Sequence, residues 1–354
     1  MQNFPQHIEA GAYPEGHVQG IALDEKKGYV YYSFTTSLVK TDLEGKLIGS
    51  VTGLVGHLGC IDFNPEDGCI YGSLEYKNDA IGRGIFARLG KNGAPAENAF
   101  YIAIFDANLI TEENMSAASL MRTVYLPDVV EDFESTGEGG KPHRYACSGC
   151  DGLAFGPVFG SPKDSPRMLM LAYGIYSDTE RADNDNQIIL QYDWRNFSRY
   201  AAPLTQEAPH HQGPITDARY FAFTGNTNWG VQNLCYDPDT QHWLLFVYRG
   251  KKPQFPNYAL YLFDGAKVPK TAPVMGLNGD VGANLIPCEE GILHPESGVR
   301  GFDMELGQYG IHALGGGLFY IAHPYKISEP QKLHGANLHL YRYTGTTPLG
   351  FEKI

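Results

Sequence analysis

CIDFNPEDGCIYGS, residues 60–73, reads as two short strands joined by a tight turn. Residues 60–64 and 69–73 are rich in β-branched and aromatic side chains. Between them Asn64-Pro65-Glu66-Asp67-Gly68 supplies proline's fixed φ and residues that tolerate turn geometry. The same order recurs four more times along the chain. The first strand reappears as GIALD (20–24), GLAFG (152–156), NLCYD (233–237) and IHALG (311–315), and the second as YVYYS (29–33), MLMLA (168–172), WLLFV (243–247) and LFYIA (318–322). A third strand follows in each unit: SLVKTD (37–42), FYIAIFD (100–106), QIILQYD (187–193), ALYLFD (259–264) and NLHLYRY (337–343).

Asp24 and Gly315 are 291 residues apart across four intervals, a mean repeat of about 73, where a bare four-stranded blade needs ~40–50. Each unit therefore carries long insertions. Antiparallel units repeated around an axis protect one another's edges. The predicted fold is all-β: a five-bladed β-propeller of four-stranded antiparallel blades, forming a single domain over residues 1–354. Residues 267–308 have no clean place in the repeat and could supply a sixth blade. Helical periodicity is confined to TEENMSAASLMR, residues 111–122, which predicts one short helix.

Forty acidic against 27 basic side chains give a net charge of -13, the wrong sign for a partner held by counterion release, so nucleic acid and anionic membranes are not expected partners. The start of the chain has no signal-peptide pattern, and the expected location is the cytoplasm. Six cysteines are too few for a disulfide framework, and Cys147-Ser148-Gly149-Cys150 lacks the second CxxC or βαβ setting that redox or zinc chemistry would bring, so its thiols read as structural.

In a propeller the loop into each first strand shares one mouth of the channel with the loop between the second and third strands. Eight of the twelve histidines fall in or beside those segments. His17 and His57 stand three residues before aligned strands, which makes them candidate bases or ligands of a divalent cation (calcium, manganese or zinc), with His312 as a third ligand. Tyr176 and Tyr248 are candidate proton donors. Arg144, Arg181, Arg249 and Lys77 would neutralise an acidic ligand, and His211 and His323 would add hydrogen bonds. Trp229 offers a flat face on which a sugar ring can stack.

Glu75 and Asp151, each at the edge of a strand on this face, form the carboxylate pair that glycosidic hydrolysis requires. Blade number and a pore-centred site resemble the five-bladed propeller glycosidases such as the arabinanase-like enzymes, although these place an acidic residue where this chain has His17. The His, Tyr and Arg inventory is similar in type to that of propeller-shaped uronate lyases. The expected function is that of a carbohydrate-active enzyme cleaving a glycosidic bond in an acidic, uronate-containing oligo- or polysaccharide, by elimination next to the uronate ahead of hydrolysis at the carboxylate pair. The alternative is a non-catalytic glycan- or protein-binding platform.

Overall fold

The structure is a computed structural model that describes residues 4–204, 209–346 and 348–354. Ala208, where the sequence places the start of the loop into the fourth blade, lies outside them. Five antiparallel sheets stand around one channel. Blade 1 runs Val18–Asp24, Tyr29–Phe34, Ser37–Asp42 and Leu47–Thr52 from the channel outward. Blade 2 runs His57–Asn64, Cys69–Tyr76, Ala99–Asp106 and Met121–Tyr125, and blade 3 runs Cys147–Pro157, Arg167–Ile175, Asn186–Tyr192 and Ala218–Phe223.

Blade 4 has three strands among the described residues: Asn228–Asp237, His242–Tyr248 and Leu260–Asp264. Blade 5 consists of Ile311–Gly315, Leu318–Ile327 and Leu333–Tyr343, with the N-terminal strand His7–Tyr13 paired on its outer side. That pairing joins the two ends of the chain in one sheet and closes the ring. A short last strand, Phe351–Lys353, adds to the same sheet.

The second strands are apolar at nearly every position because both of their faces are covered. In blade 3, Leu169, Leu171 and Tyr173 pack toward blade 2, while Met170 and Ala172 pack toward blade 4. Blade 4 repeats the pattern: Trp243, Leu245 and Val247 face blade 3, and Leu244 and Phe246 face blade 5. The period-2 alternation of a strand thus feeds two cores at once. Five apolar clusters result, one at each junction between neighbouring blades. The hydrophobic stabilisation consequently resides between blades, at all five junctions.

The inner strands favour small residues because they converge on the axis. A Cβ on Gly20 would lie 2.9 Å from the Cys60 Cα and the Ile61 amide nitrogen of the next blade.

Three expectations need correction. Residues 267–308 form no sixth blade. Part of this stretch folds as Lys270–Pro273 and Val281–Asn284 onto the outer edge of blade 3, and the rest covers the edge of blade 4, where Phe302 and Pro287 make isolated bridges to Leu260 and Phe263. Among the described residues, blade 4 therefore lacks the expected fourth strand. Residues 111–122 do not form one helix: a single turn, Ala117–Leu120, sits between the strands Met115–Ser116 and Met121–Tyr125. Helices form instead at Ala80–Arg88, whose first turn is capped by the Asp79 side chain accepting from the Gly82 amide, and at Pro127–Glu134, which starts with proline.

Candidate functional site

At one end of the channel the inner strands of blades 1 to 4 each break register. The irregularities fall between Val18 and Gly20, Leu58 and Ile61, Cys150 and Leu153, and Asn228 and Val231. Bulges of this kind turn side chains out of the strand plane, and here they turn them into the mouth. The inner strand of blade 5 has no such break at that end. The resulting cavity, about 340 Å³, is lined by His17, Gln19, His57, Glu75, Lys77, Ile81, Ser148, Asp151, Asn228, Trp229, Gln232 and Tyr248. His17 and Tyr248 also wall an adjoining space against blade 5, with Tyr309, Tyr325, Lys326 and His334.

The floor is a buried polar cluster. His57 and Glu75 are cross-strand partners, and the His57 Nδ1 lies 3.9 Å from Glu75 Oε2 and 3.8 Å from Asp151 Oδ1. Lys77 Nζ donates to Glu75 Oε2 at 2.7 Å and to the Ser148 carbonyl at 2.7 Å, and Asp79 stands 3.5 Å away. Gln232 donates to Asp151 Oδ2 at 3.2 Å. His57 Nδ1 and Asp151 Oδ1, both buried, face one another with no hydrogen-bond partner of their own. Gly149 makes this convergence possible: its φ is +138°, and a Cβ there would fall on the Glu75 carboxylate.

Burial controls the electrostatics. It pushes the Glu75 carboxyl above the usual carboxylate range, with Lys77 opposing and Asp151 adding to the rise. It raises Asp151 as well, against Lys77 and the Gln232 hydrogen bond. His57 falls to about 3 through burial and then Lys77, and His17 falls to about 4 through burial, His334 and Lys326, so both rings are neutral near pH 7. Burial works against the charge of Lys77 too, but Glu75 and Asp79 outweigh it and hold the ammonium. The Tyr248 hydroxyl is pushed up by burial, Tyr309 and Asp151.

Trp229 stands at the rim with 45 % of its surface exposed and a φ of +69°, a conformation a bulky side chain seldom adopts. Its ring meets the Tyr176 ring edge-on at 5.9 Å, which places Tyr176 at the rim, outside the lining.

The mouth therefore gathers His17, His57, Glu75, Lys77, Asp151, Trp229 and Tyr248. Other candidates lie elsewhere. His312 is at the opposite end of the channel, 3.6 Å from Glu25 in a cavity with Asp24 and Asp62, so it cannot share an ion with His17 and His57. His211 bonds Glu97 at 2.6 Å and packs on Tyr125, on the outer strand of blade 2. His323 bonds the Tyr341 hydroxyl at 2.9 Å and touches His339 on blade 5.

The three arginines are already paired. Arg144 binds the buried Asp132; Arg181, itself buried, binds Asp183 and the carbonyls of Pro142 and His143; Arg249 binds Asp303 and Glu305. None lines the mouth. Acidic partners satisfy these cations, Asp183 from the same loop as Arg181 but Asp132, Asp303 and Glu305 from other segments, which a count of charges cannot reveal. Cys147 and Cys150 are free and buried.

Gln19 and Gln232 were not singled out in the sequence, yet a signal existed. Each stands immediately before an aligned first strand, the position that Asp151 holds in blade 3. Ser148, Asn228 and Tyr309 carried no comparable signal.

His57, Glu75 and Asp151 each offer an atom that could hold a metal ion, all within 4.8 Å of one another. No protein-family model matches the chain, and no curated protein matches it. Among the described residues no helix is long and apolar enough to cross a membrane.

Proposed function

We propose that the chain is a carbohydrate-active enzyme that hydrolyses a glycosidic bond at the channel mouth, using Glu75 and Asp151 as its carboxylate pair. The observation that carries this reading is the pair itself: a buried carboxylate, Glu75, and a half-buried one, Asp151, in unlike surroundings, both near His57 and in the same cavity as an exposed tryptophan. Glu75 accepts from the Lys77 ammonium at 2.7 Å, a contact that opposes the effect of burial and favours the negative charge on this carboxylate over the other. Asp151 touches no cation, and its Oδ1 faces the neutral His57 Nδ1 at 3.8 Å, beyond hydrogen-bond reach, with neither atom partnered elsewhere. Asp151 is then the acid that protonates the leaving oxygen and Glu75 the nucleophile. Trp229 and Tyr248 supply aromatic faces for the sugar ring, and Gln19, Asn228 and Gln232 supply amides for its hydroxyls.

Elimination next to a uronate has less support, because Arg144, Arg181 and Arg249 are committed elsewhere. A divalent cation at His57, Glu75 and Asp151 is a second reading, favoured by the unpartnered Nδ1 and Oδ1; it would compete with the Lys77 ammonium for Glu75. A screen of the purified protein against neutral and uronate-bearing oligosaccharides separates the readings. Hydrolysis releases reducing ends without ultraviolet-absorbing unsaturated products, elimination produces those products, and a binding platform produces neither. Loss of turnover on chelation, restored by the metal, would support the cation.

A further inference from the structure

The edge of blade 4 carries a second cluster, far from the carboxylate pair in the fold. His242 opens the second strand of the blade, and Cys288 and Glu290 lie on the segment that covers the blade where a fourth strand is missing. One donor atom from each of the three lies within 4.8 Å of the others. They wall a cavity of about 440 Å³ together with Asp264, Lys267 and Glu289.

We propose that His242, Cys288 and Glu290 bind one divalent cation of borderline softness, zinc in first place, through the Cys288 Sγ, a ring nitrogen of His242 and a Glu290 carboxylate oxygen. The fourth position faces the cavity and is open to water or to Asp264. Thiolate, imidazole and carboxylate together are a donor set that suits zinc and excludes calcium and magnesium, which prefer oxygen alone.

Three further observations support the site. The His242 Nδ1 is buried with no hydrogen-bond partner, while its Nε2 lies 3.9 Å from Glu290 Oε1. The Tyr343 hydroxyl is likewise buried and unpartnered, in the field of Glu290 and Cys288. The local charge is also incomplete: Lys267 is engaged with Asp264 at 3.4 Å, and no lysine or arginine among the described residues pairs with Glu290. Ligands on a tetrahedral zinc sit about 3.3–3.8 Å apart, so the trio closes by rotating Glu290, whose side chain is 39 % exposed. On binding, the Cys288 thiol gives its proton to solvent and becomes the thiolate ligand.

The structural consequence is a staple. Backbone bonds from Asp264 to the Ile286 carbonyl and from Cys288 to the Leu262 carbonyl fasten the covering segment to the third strand of the blade. A cation would tie it to the second strand as well.

The test uses the full chain, stripped with a chelator and titrated with zinc or cobalt. One equivalent binds, and cobalt gives the near-ultraviolet absorption of a thiolate-to-metal charge transfer. Cys288→Ser abolishes that band, Glu290→Gln weakens zinc binding by at least about 10-fold, and Asp151→Asn leaves both unchanged. No binding, a band that survives Cys288→Ser, or an equivalent lost in Asp151→Asn would overturn the proposal. Should Cys288→Ser fail to fold, unchanged zinc affinity in Glu290→Gln, a half-exposed position, overturns it alone.

Discussion

The floor of the channel mouth and the edge of blade 4 hold similar inventories, a histidine, a glutamate and one further acidic side chain within 4.8 Å, but differ in what balances their charge. At the mouth Lys77 reaches Glu75 at 2.7 Å and supplies an internal cation. At the blade edge Glu290 has no such lysine, and a thiol takes the place of the second carboxylate. An ammonium already in place leaves protons as the mobile species and makes the mouth suited to acid and base chemistry. A thiol among unbalanced carboxylates calls for a cation from outside. The same ligand types can thus serve two ends, and the nearest cation decides which.

The largest effect expected from this contrast is at the mouth. Asp151→Asn should lower turnover of the saccharide substrate by about 10²–10⁴-fold, the usual contribution of a positioned acid, with the circular dichroism of the fold unchanged. A small loss would remove Asp151 from the chemistry. Next is metal linkage: zinc at about 100 times its dissociation constant should stabilise the wild-type chain against urea by about 2.7 kcal/mol and leave Cys288→Ser unaffected. Equal stabilisation of both would erase the distinction between the clusters.

The five-fold repeat was legible because strand and turn chemistry are local. Small residues in each first strand and wholly apolar second strands such as MLMLA and WLLFV register convergence on an axis and burial on both faces. The fourth strand of blade 4 was not legible, since its place is taken by backbone held through bridges at Pro287 and Phe302, which leave no periodicity. At the channel mouth, aligned offsets before the first strands pointed to His17, His57 and Asp151, which line the cavity, and would have given Gln19 and Gln232. Arg144, Arg181 and Arg249 were misplaced because pairing with Asp132, Asp183 and Asp303 is a property of contact, invisible to loop assignment.

Smaller effects sharpen the mouth further. Trp229→Ala removes a stacking face worth about 0.5–1.5 kcal/mol, so KM should rise roughly 2- to 10-fold with kcat little changed. A fall in kcat alone would give Trp229 another role. His17 is neutral in the folded chain down to about pH 4 but protonates near 6.5 when unfolded. The unfolded state therefore binds the extra proton between those values, and stability contributed by His17 is present above pH 6.5 and lost as pH falls toward 4. The slope is at most about 1.4 kcal/mol per pH unit. Urea midpoints measured from pH 7 to 4.5 should decline less steeply in His17→Gln than in wild type; parallel declines would contradict the burial of that ring.

The stereochemistry of the nascent product tests the carboxylate pair most directly. Glu75 and Asp151 place an oxygen each within 4.8 Å of the other, below the ≈ 5–5.5 Å of enzymes that form a covalent glycosyl intermediate and too near for the ≈ 6.5–9.5 Å that accommodates an intervening water. Proton NMR of the anomer released in the first minutes of hydrolysis should show retained configuration. An inverted anomer, or an unsaturated uronate in its place, would contradict the account.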